Sequence, residues 1–232
     1  MKKITINLSF YNQNDVLIKQ VNEWKSWRKE IRDQFSFCIV DDCSKKSALD
    51  VLAEVDLSDI DLSIYRVLED LYCNIAGVRN LSAQECQTDW MVILDMDTFV
   101  SEELATNMLR LAGTSRKGEA FKFNRRVADS RHPKNGQPHP AVCLLRVEDY
   151  WNVGGCEEDL VGHYGWTDPS FWYRSIGKLH VFTFSDLYLD YCPEGEADIN
   201  RDNSHNYRLY EEKKHTGNWS TDFVRFQWEK QK

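Results

Sequence analysis

Short, nearly continuous apolar runs alternate with segments of helical periodicity along the first half of the chain. Four runs rich in β-branched and aromatic residues are predicted to be strands: 4–9, 35–40, 61–67 and 90–94. Four further segments carry helical spacing or helix-capping signals and are predicted to be helices: 16–28, 47–55, 75–86 and 101–111. This alternation predicts an α/β fold with a mostly parallel sheet flanked by helices on both faces.

The pattern becomes irregular after Gly113. Residues 125–140 form a predicted loop rich in Arg, Pro and Gly, and 141–146 a short strand, after which aromatic and charged positions mix without clear periodicity. No internal repeat and no low-complexity linker divides the sequence. We therefore expect a single domain over 1–232, with a nucleotide-type half at 1–112 and an irregular half with a C-terminal tail at 113–232.

Composition narrows the class of protein. The chain has 232 residues, 42% hydrophobic and 28% charged, which is typical of a globular protein with a real core. Its net charge of −8 does not favour binding to nucleic acid. No apolar stretch approaches the roughly 20 residues that span a bilayer. The seven cysteines are odd in number and contain no Cys-x-x-Cys pair, so we expect reduced thiols and a cytoplasmic protein.

Two predicted strands end in a pair of carboxylates. Asp41 and Asp42 follow the second strand, and Asp95 and Asp97 follow the fourth. Because parallel strands end at the same edge of a sheet, both pairs are expected to contribute to one site. Their oxygens suit a divalent cation that also binds a diphosphate. The alternative is local structure, in which Asp97 caps the next helix and Asp95 makes a loop hydrogen bond.

Several short motifs follow one another along residues 4–175. They are Ser9-Phe-Tyr-Asn12, Val40-Asp-Asp-Cys-Ser44, Asn74-Ile-Ala-Gly-Val-Arg-Asn80, Leu94-Asp-Met-Asp97, Gly154-Gly155, Glu157-Glu-Asp-Leu-Val-Gly162 and Gly165-Trp-Thr-Asp168. Their order and spacing resemble the family 2 glycosyltransferases of the GT-A fold, which is Rossmann-like. Cys43 stands where that family has glycine, and Thr167 stands where it usually has glutamate.

The resemblance implies a metal-dependent, inverting transfer of a sugar in glycan synthesis. The donor is a nucleoside-diphosphate sugar, with a UDP-sugar favoured, and the acceptor is a hydroxyl of a glycan or another molecule. The implied cofactor is Mn²⁺ or Mg²⁺, which stabilises the leaving diphosphate.

The resemblance also implies donor-binding roles for four residues. Asp41 matches the position that hydrogen-bonds the base, and Asp42 is then structural. Tyr11 is expected to stack on the base, and Arg79 to donate to phosphate oxygens. Asp95 is expected to face the ribose or a metal-bound water. The alternatives are a core or turn position for Tyr11 and a solvated helix position for Arg79.

The implied metal ligands are Asp97 and a histidine late in the chain. His205 lies in a polar stretch suited to a loop ligand and is our first choice. The other options are His163, His139 and His215. A plain surface histidine is the alternative for His205.

The implied general base is Asp168, which would take the proton of the acceptor hydroxyl. Pro169 follows it, so the alternative is that Asp168 caps a helix. Asp159 is the second choice for the base. Trp166, beside Asp168, is expected to line the acceptor site because sugars present C–H faces that pack on aromatic rings.

Two other functions compete with this interpretation. One is a glycan- or nucleotide-binding module that keeps the fold without catalysis. The other is a sugar nucleotidyltransferase, which would need a glycine-rich, basic loop after the first strand. The turn here is Tyr11-Asn-Gln-Asn-Asp15, which is neither.

Overall fold

The computed structural model describes residues 3–232. Its strands are β1 Ile4–Phe10, β2 Phe35–Asp41, β3 Leu62–Val67, β4 Trp90–Leu94, β5 Thr98–Phe99, β6 Glu119–Arg126, β7 Cys143–Arg146, β8 His180–Tyr191 and β9 Trp228–Lys230. Its α-helices are α1 Asn14–Ser26, α2 Lys29–Arg32, α3 Ala48–Val51, α4 Ile75–Gln84, α5 Glu102–Thr114, α6 Val147–Val153, α7 Thr167–Ser175 and α8 Ser204–Thr216. Two 3₁₀ turns cover Glu158–Leu160 and Pro193–Gly195.

The strands form one sheet in the order β5-β8-β6-β7-β4-β1-β2-β3-β9. The central strands β3, β2, β1 and β4 are parallel to one another, whereas β9 beside β3 and β7 beside β4 are antiparallel. Both halves of the chain contribute strands to this sheet. For example, β9, which lies near the C-terminus, pairs with β3 of the first half. The mostly parallel, Rossmann-like α/β architecture predicted from the sequence is confirmed.

Helices cover both faces of the sheet, as the side chains of β4 demonstrate. Trp90, Val92 and Leu94 pack in one hydrophobic cluster, which also contains residues of α1 and α5. Met91 and Ile93 pack in another, with residues of α4, α6 and α7. Since successive side chains of a strand point to opposite faces, β4 is buried on both sides.

The local predictions hold best where capping signals are strong. Ser101 caps α5 by accepting a hydrogen bond from Leu104 N, which excludes Asp97 as the cap of that helix. The helix expected over 47–55 is only the short α3, capped by Ser47. The irregular C-terminal part contains β8 and α8, and the first part of β8 is largely exposed, so it lacks the apolar alternation that reveals a strand.

Candidate active site

A cleft of about 430 Å³ lies at the carboxyl edge of β1, β2 and β4. Both halves of the chain line it. Its charged lining residues are Asp42, Arg79, Asp95, Asp97, Arg125, Lys134, Asp168, Glu196 and Arg201. The parallel strands therefore bring the two acidic segments to one site, as their order along the chain predicts.

Arg79 joins carboxylates from the two halves of the chain. Its Nη1 donates to Asp168 Oδ1 at 2.6 Å, and its Nη2 donates to Asp95 Oδ1 and Oδ2 at 2.8 and 3.1 Å. Only 5% of its side chain is exposed, so the solvated alternative is wrong. Burial alone would lower the pKa of Arg79, but Asp95 and Asp168 outweigh it and raise the pKa well above its usual value. The guanidinium is thus a fixed cation that positions both carboxylates.

Asp95, Asp97 and His139 form a compact cluster. One ligand atom from each lies within 4.8 Å of the other two, and His139 Nε2 is 3.2 Å from Asp97 Oδ1. Carboxylate oxygens at this spacing suit Mg²⁺ or Mn²⁺. Within the loop only the backbone carbonyl of Asp95 accepts hydrogen bonds, from Thr98 N and Thr98 Oγ1, whereas its carboxylate accepts from Arg79.

The histidine beside the carboxylates is His139, whereas the sequence ranked His205 first. His205 lies in the first turn of α8, where its ring stacks on His163 with centroids 3.8 Å apart, and both rings are exposed. A role of His205 in metal binding stays a prediction. The signal for His139 is topological: it lies just before β7, which runs antiparallel to β4, so it comes back to the end of β4.

Asp41 was expected to face the nucleotide base and Asp42 to be structural, but the structure has Asp41 buried in the turn and Asp42 in the cleft. Asp41 is fully buried, and its oxygens accept from Ser44 N, Ala48 N and the Arg66 guanidinium at 2.8–3.0 Å. These contacts fix the turn after β2 and hold Asp41 away from the cleft. The assignment of the base contact to Asp41 is therefore corrected, because the carboxylate that lines the cleft is Asp42.

Asp42 has the properties of a carboxylate prepared for a ligand. Its Oδ2 accepts from Asn74 N at 3.1 Å, while its Oδ1 is buried and bonds none of the described residues. Desolvation by burial raises the pKa of Asp42 to about 6, despite the hydrogen bond from Asn74. Tyr11 lies in the same wall of the cleft, so an aromatic face and a carboxylate border one subsite.

Asp168 and Trp166 both line the cleft. Trp166, in the left-handed region with φ 65°, precedes α7, and Asp168 lies in the first turn of that helix. Asp168 is thus not the N-cap residue, contrary to the capping alternative. The Trp166 ring stacks on Tyr210 with centroids 4.9 Å apart, and its indole Nε1 is buried without a hydrogen-bond partner among the described residues.

Asp159, the second choice for the base, lies outside this cleft. Its two oxygens bond Lys213 at 2.6 Å and Arg225 at 2.7 Å. Burial acts to raise the pKa of Asp159, but these hydrogen bonds outweigh it and lower the pKa to about 2. A carboxylate engaged in this way is a poor proton acceptor, so Asp159 is excluded from the candidate site.

Sequence reasoning did not find the segment that covers the cleft after β8. Gly195 packs so closely on the Asp-x-Asp turn that an added Cβ would lie 2.0 Å from Met96 O. Glu196, next in the chain, accepts hydrogen bonds from Lys134, Tyr191 and Arg201. A glycine is therefore required where this segment packs against the Asp-x-Asp turn. Through Glu196, two further cations, Lys134 and Arg201, are held at the cleft.

Comparisons with known proteins identify the family and the fold of the chain. A family model described as Glycosyl transferase family 2 matches residues 5–158. No curated protein sequence is significantly similar to the chain. None of the described helices is both long and apolar enough to cross a bilayer.

Several solved structures share the fold at low sequence identity. The 1–349 fragment of S. aureus TarS in complex with UDP-GlcNAc has a TM-score of 0.70 and 13% identity, covering 90% of this chain and 65% of that one. Mannosyltransferase PcManGT from Pyrobaculum calidifontis, in complex with GDP-Man and Mn²⁺, has a TM-score of 0.65 and 16% identity, covering 95% and 66%. The chain spans 41% of a further TarS structure, at a TM-score of 0.68 and 12% identity.

Proposed function

The chain belongs to glycosyl transferase family 2, and from that premise we propose that it is a metal-dependent, inverting glycosyltransferase of glycan synthesis. It moves a sugar from a nucleoside-diphosphate donor, with a UDP-sugar favoured, to a hydroxyl of a glycan or another acceptor. The observation that carries the proposal is the Arg79 bridge, which joins Asp95 to Asp168 in one cleft. We further propose that residues 1–232 act as a single domain and that the protein is cytoplasmic, an assignment supported by its seven free cysteines.

The nucleotide base is proposed to bind between Tyr11 and Asp42. The unpartnered Asp42 Oδ1 accepts a hydrogen bond from an imide N–H, which uracil offers, and the Tyr11 ring supplies an apolar face. Guanine N1–H offers a similar donor, so the same carboxylate also tolerates a GDP-sugar. TarS and PcManGT were solved with UDP-GlcNAc and GDP-Man, respectively, which supports a nucleotide sugar as the donor class.

The cation is proposed to bind at Asp97, with Asp95 close by. No described residue hydrogen-bonds Asp97 Oδ2, and that side chain lines the cleft, so an oxygen is available to a hard cation. When bound, the cation stabilises the negative charge that develops on the departing diphosphate. Lys134 and Arg201 now form ion pairs with Glu196. When a donor binds, they are proposed to release Glu196 and to contact the phosphate oxygens instead.

Asp168 is proposed to take the proton of the acceptor hydroxyl as that oxygen attacks the anomeric carbon. Arg79 holds Oδ1 of Asp168, which leaves Oδ2 for the proton. Trp166 presents its ring beside this carboxylate and packs on the apolar face of the acceptor sugar. Attack from the side of Asp168, opposite the diphosphate, inverts the configuration at the anomeric carbon.

The test is donor cleavage and transfer with a panel of UDP- and GDP-sugars, with and without Mn²⁺. The proposal predicts Mn²⁺-dependent release of the nucleoside diphosphate, and it predicts that release is lost in Asp97→Ala. Tight nucleotide-sugar binding without any cleavage or transfer would instead support a binding module. Transfer that proceeds fully in EDTA would overturn the metal dependence.

A further inference from the structure

His139 is held in one orientation by contacts on both ring nitrogens and on its backbone N–H. It is buried, with 3% exposure, and its backbone N–H donates to Phe123 O at 3.2 Å. Its ring Nδ1 accepts from the backbone N–H groups of Ala141 and Val142 at 3.2 and 3.1 Å. Its Nε2 faces Asp97 Oδ1 at 3.2 Å. The ring therefore has backbone donors on one side and a carboxylate on the other.

The surroundings of Nδ1 fix where the imidazole proton lies. A nitrogen that accepts hydrogen bonds from two N–H groups needs its lone pair and carries no hydrogen. In the neutral ring the hydrogen then lies on Nε2, where it donates to Asp97. A histidine that binds a metal through Nε2 has the opposite arrangement, because its Nδ1–H donates to a carbonyl, carboxylate or water. Nothing of that kind faces Nδ1 here among the described residues.

We propose that His139 is a positioning residue for Asp97 and not a metal ligand. Its Nε2–H fixes Asp97 Oδ1 and turns Oδ2 toward the cleft. This inference rests on the proposed function for the role of Asp97, but the position of the proton is a property of the metal-free protein.

The proposal has a consequence for the choice of metal. If the imidazole stays outside the coordination sphere, Asp97, Asp95, phosphate and water give an all-oxygen ligand set. Such a set suits Mg²⁺ and Mn²⁺, whereas a histidine nitrogen shifts preference toward Zn²⁺ and later transition metals. The neighbouring Pro140 strengthens the arrangement, because its carbonyl accepts from Trp172 Nε1 at 2.8 Å and Lys122 Nζ at 3.0 Å. His139 thus connects the orientation of Asp97 to the acceptor-side helix α7.

The first experiment reads the tautomer directly. Long-range ¹H–¹⁵N correlation spectra of the metal-free, full-length protein report which ring nitrogen of His139 carries the hydrogen, with the ring assigned from its backbone resonances. The proposal predicts the Nε2–H form, with Nδ1 at the shift of an unprotonated acceptor. An Nδ1–H tautomer would overturn it. The tautomer is measured without catalysis. A protein that cleaves no sugar nucleotide would contradict the proposed function, but the spectra would still show which nitrogen of His139 carries the hydrogen.

The second experiment asks whether nitrogen touches the metal. Mn²⁺ titrations followed by EPR compare wild type with His139→Ala, His139→Gln and a control at an exposed histidine at the start of β8, His180→Gln. Loss of the hydrogen bond to a ligating carboxylate is expected to weaken Mn²⁺ about tenfold in His139→Ala. The glutamine variant, which keeps an N–H donor, is expected to retain most of the affinity, and the control all of it.

Pulsed EPR of the same samples separates the two roles. The proposal predicts that no directly coordinated ¹⁴N signal is lost between wild type and His139→Gln. A ¹⁴N coupling present in wild type and absent in that variant would make His139 a ligand and contradict the proposal. Failure of His139→Gln to rescue the alanine variant would also count against it.

Discussion

Two groups of paired charges meet at helix α4, and they differ in how completely their carboxylate oxygens are hydrogen-bonded. One is the cleft group, which consists of Asp42, Asp95, Asp97 and Asp168 with Arg79. The other, which we call the tail clamp, consists of Glu157, Glu158 and Asp159 with Lys213 and Arg225. Arg79 belongs to the first, while its neighbour Asn80 donates to Glu158 Oε1 at 2.7 Å and so touches the second.

Every carboxylate oxygen of the tail clamp has a partner. Glu157 accepts from Asp159 N and from the backbone and hydroxyl of Ser220. Glu158 accepts from Val224 N at 2.7 Å and Arg225 N at 3.2 Å, as well as from Asn80. The clamp therefore holds the C-terminal segment to the body of the protein, and each of its carboxylate oxygens already accepts a hydrogen bond within the protein.

In the cleft group, some carboxylate oxygens have no hydrogen-bond partner among the described residues. Asp42 Oδ1 is buried without a partner among the described residues, and within the same range nothing hydrogen-bonds Oδ2 of Asp97 or Asp168. A buried acceptor without a partner, such as Asp42 Oδ1, costs stability, and at the edge of a cleft a ligand can complete it. The contrast supports our proposal that the cleft group binds a ligand, whereas the tail clamp is a structural ion-pair cluster.

Asp168→Asn is expected to give the largest difference between the two groups. The amide keeps the shape of the side chain but cannot accept the hydroxyl proton, so transfer should fall by about 10²- to 10⁴-fold with donor affinity retained. Steady-state transfer assays and UDP titrations measure the two effects. Asp159→Asn is the matched control, and transfer reduced equally in both variants would erase the proposed distinction.

Arg79→Met is expected to damage both stability and transfer. It leaves Asp95 and Asp168 without their shared cation in a partly buried site, and breaking such a pair costs about 3 kcal/mol. Urea unfolding gives the free energy of unfolding, and transfer assays on the folded fraction give the catalytic loss. Unchanged transfer in the folded variant would remove Arg79 from the machinery.

Lys213→Met is the corresponding change in the tail clamp. It removes a buried partner of Glu157 and Asp159, and losing a hydrogen bond to a charged group costs about 2 kcal/mol. The expected result is a lower urea midpoint with kcat/KM for the folded protein unchanged. A selective loss of kcat at constant stability would mean that the clamp takes part in catalysis.

Asp42 predicts a pH dependence of nucleotide binding that the clamp does not share. Burial raises its pKa to about 6, and the ionised form accepts an imide N–H much more strongly than the neutral acid. Affinity for UDP should therefore be full above pH 6 and decline as the pH falls through that value, approaching tenfold per pH unit. Calorimetry from pH 7.5 to 5 measures this, with Asp42→Asn expected to abolish the slope. A flat profile in the wild type would place the base elsewhere.

The contrast between the two groups also explains what the sequence reveals. Strands ending in Asp-x-Asp and Asp-Asp predicted the parallel sheet and its acidic edge, because both follow from local apolar runs. Which aspartate of a pair faces the cleft depends on the turn after β2, where Cys43 has φ 55° and Ser44 N donates to Asp41 Oδ1. The conformation of this turn leaves no periodic pattern of apolar residues in the sequence, so it could not be predicted.

Long-range returns of the chain were harder still to predict. His139 meets Asp97 only because β7 runs back beside β4, and Glu196 reaches the cleft only through the long strand β8. His205 had the more polar sequence surroundings, yet its ring stacks on His163 at the surface. Histidine contacts of this kind depend on strand pairing, which sequence spacing alone does not encode.

The central claim is that one cleft binds a nucleoside diphosphate through a cation at Asp97. The most direct measurement is calorimetric titration of UDP into wild type and Asp97→Ala, each with Mn²⁺ and with EDTA. We predict that Mn²⁺ tightens UDP binding to the wild type and has no effect on the variant, which still unfolds cooperatively. Equal UDP affinity in all four titrations would contradict the account.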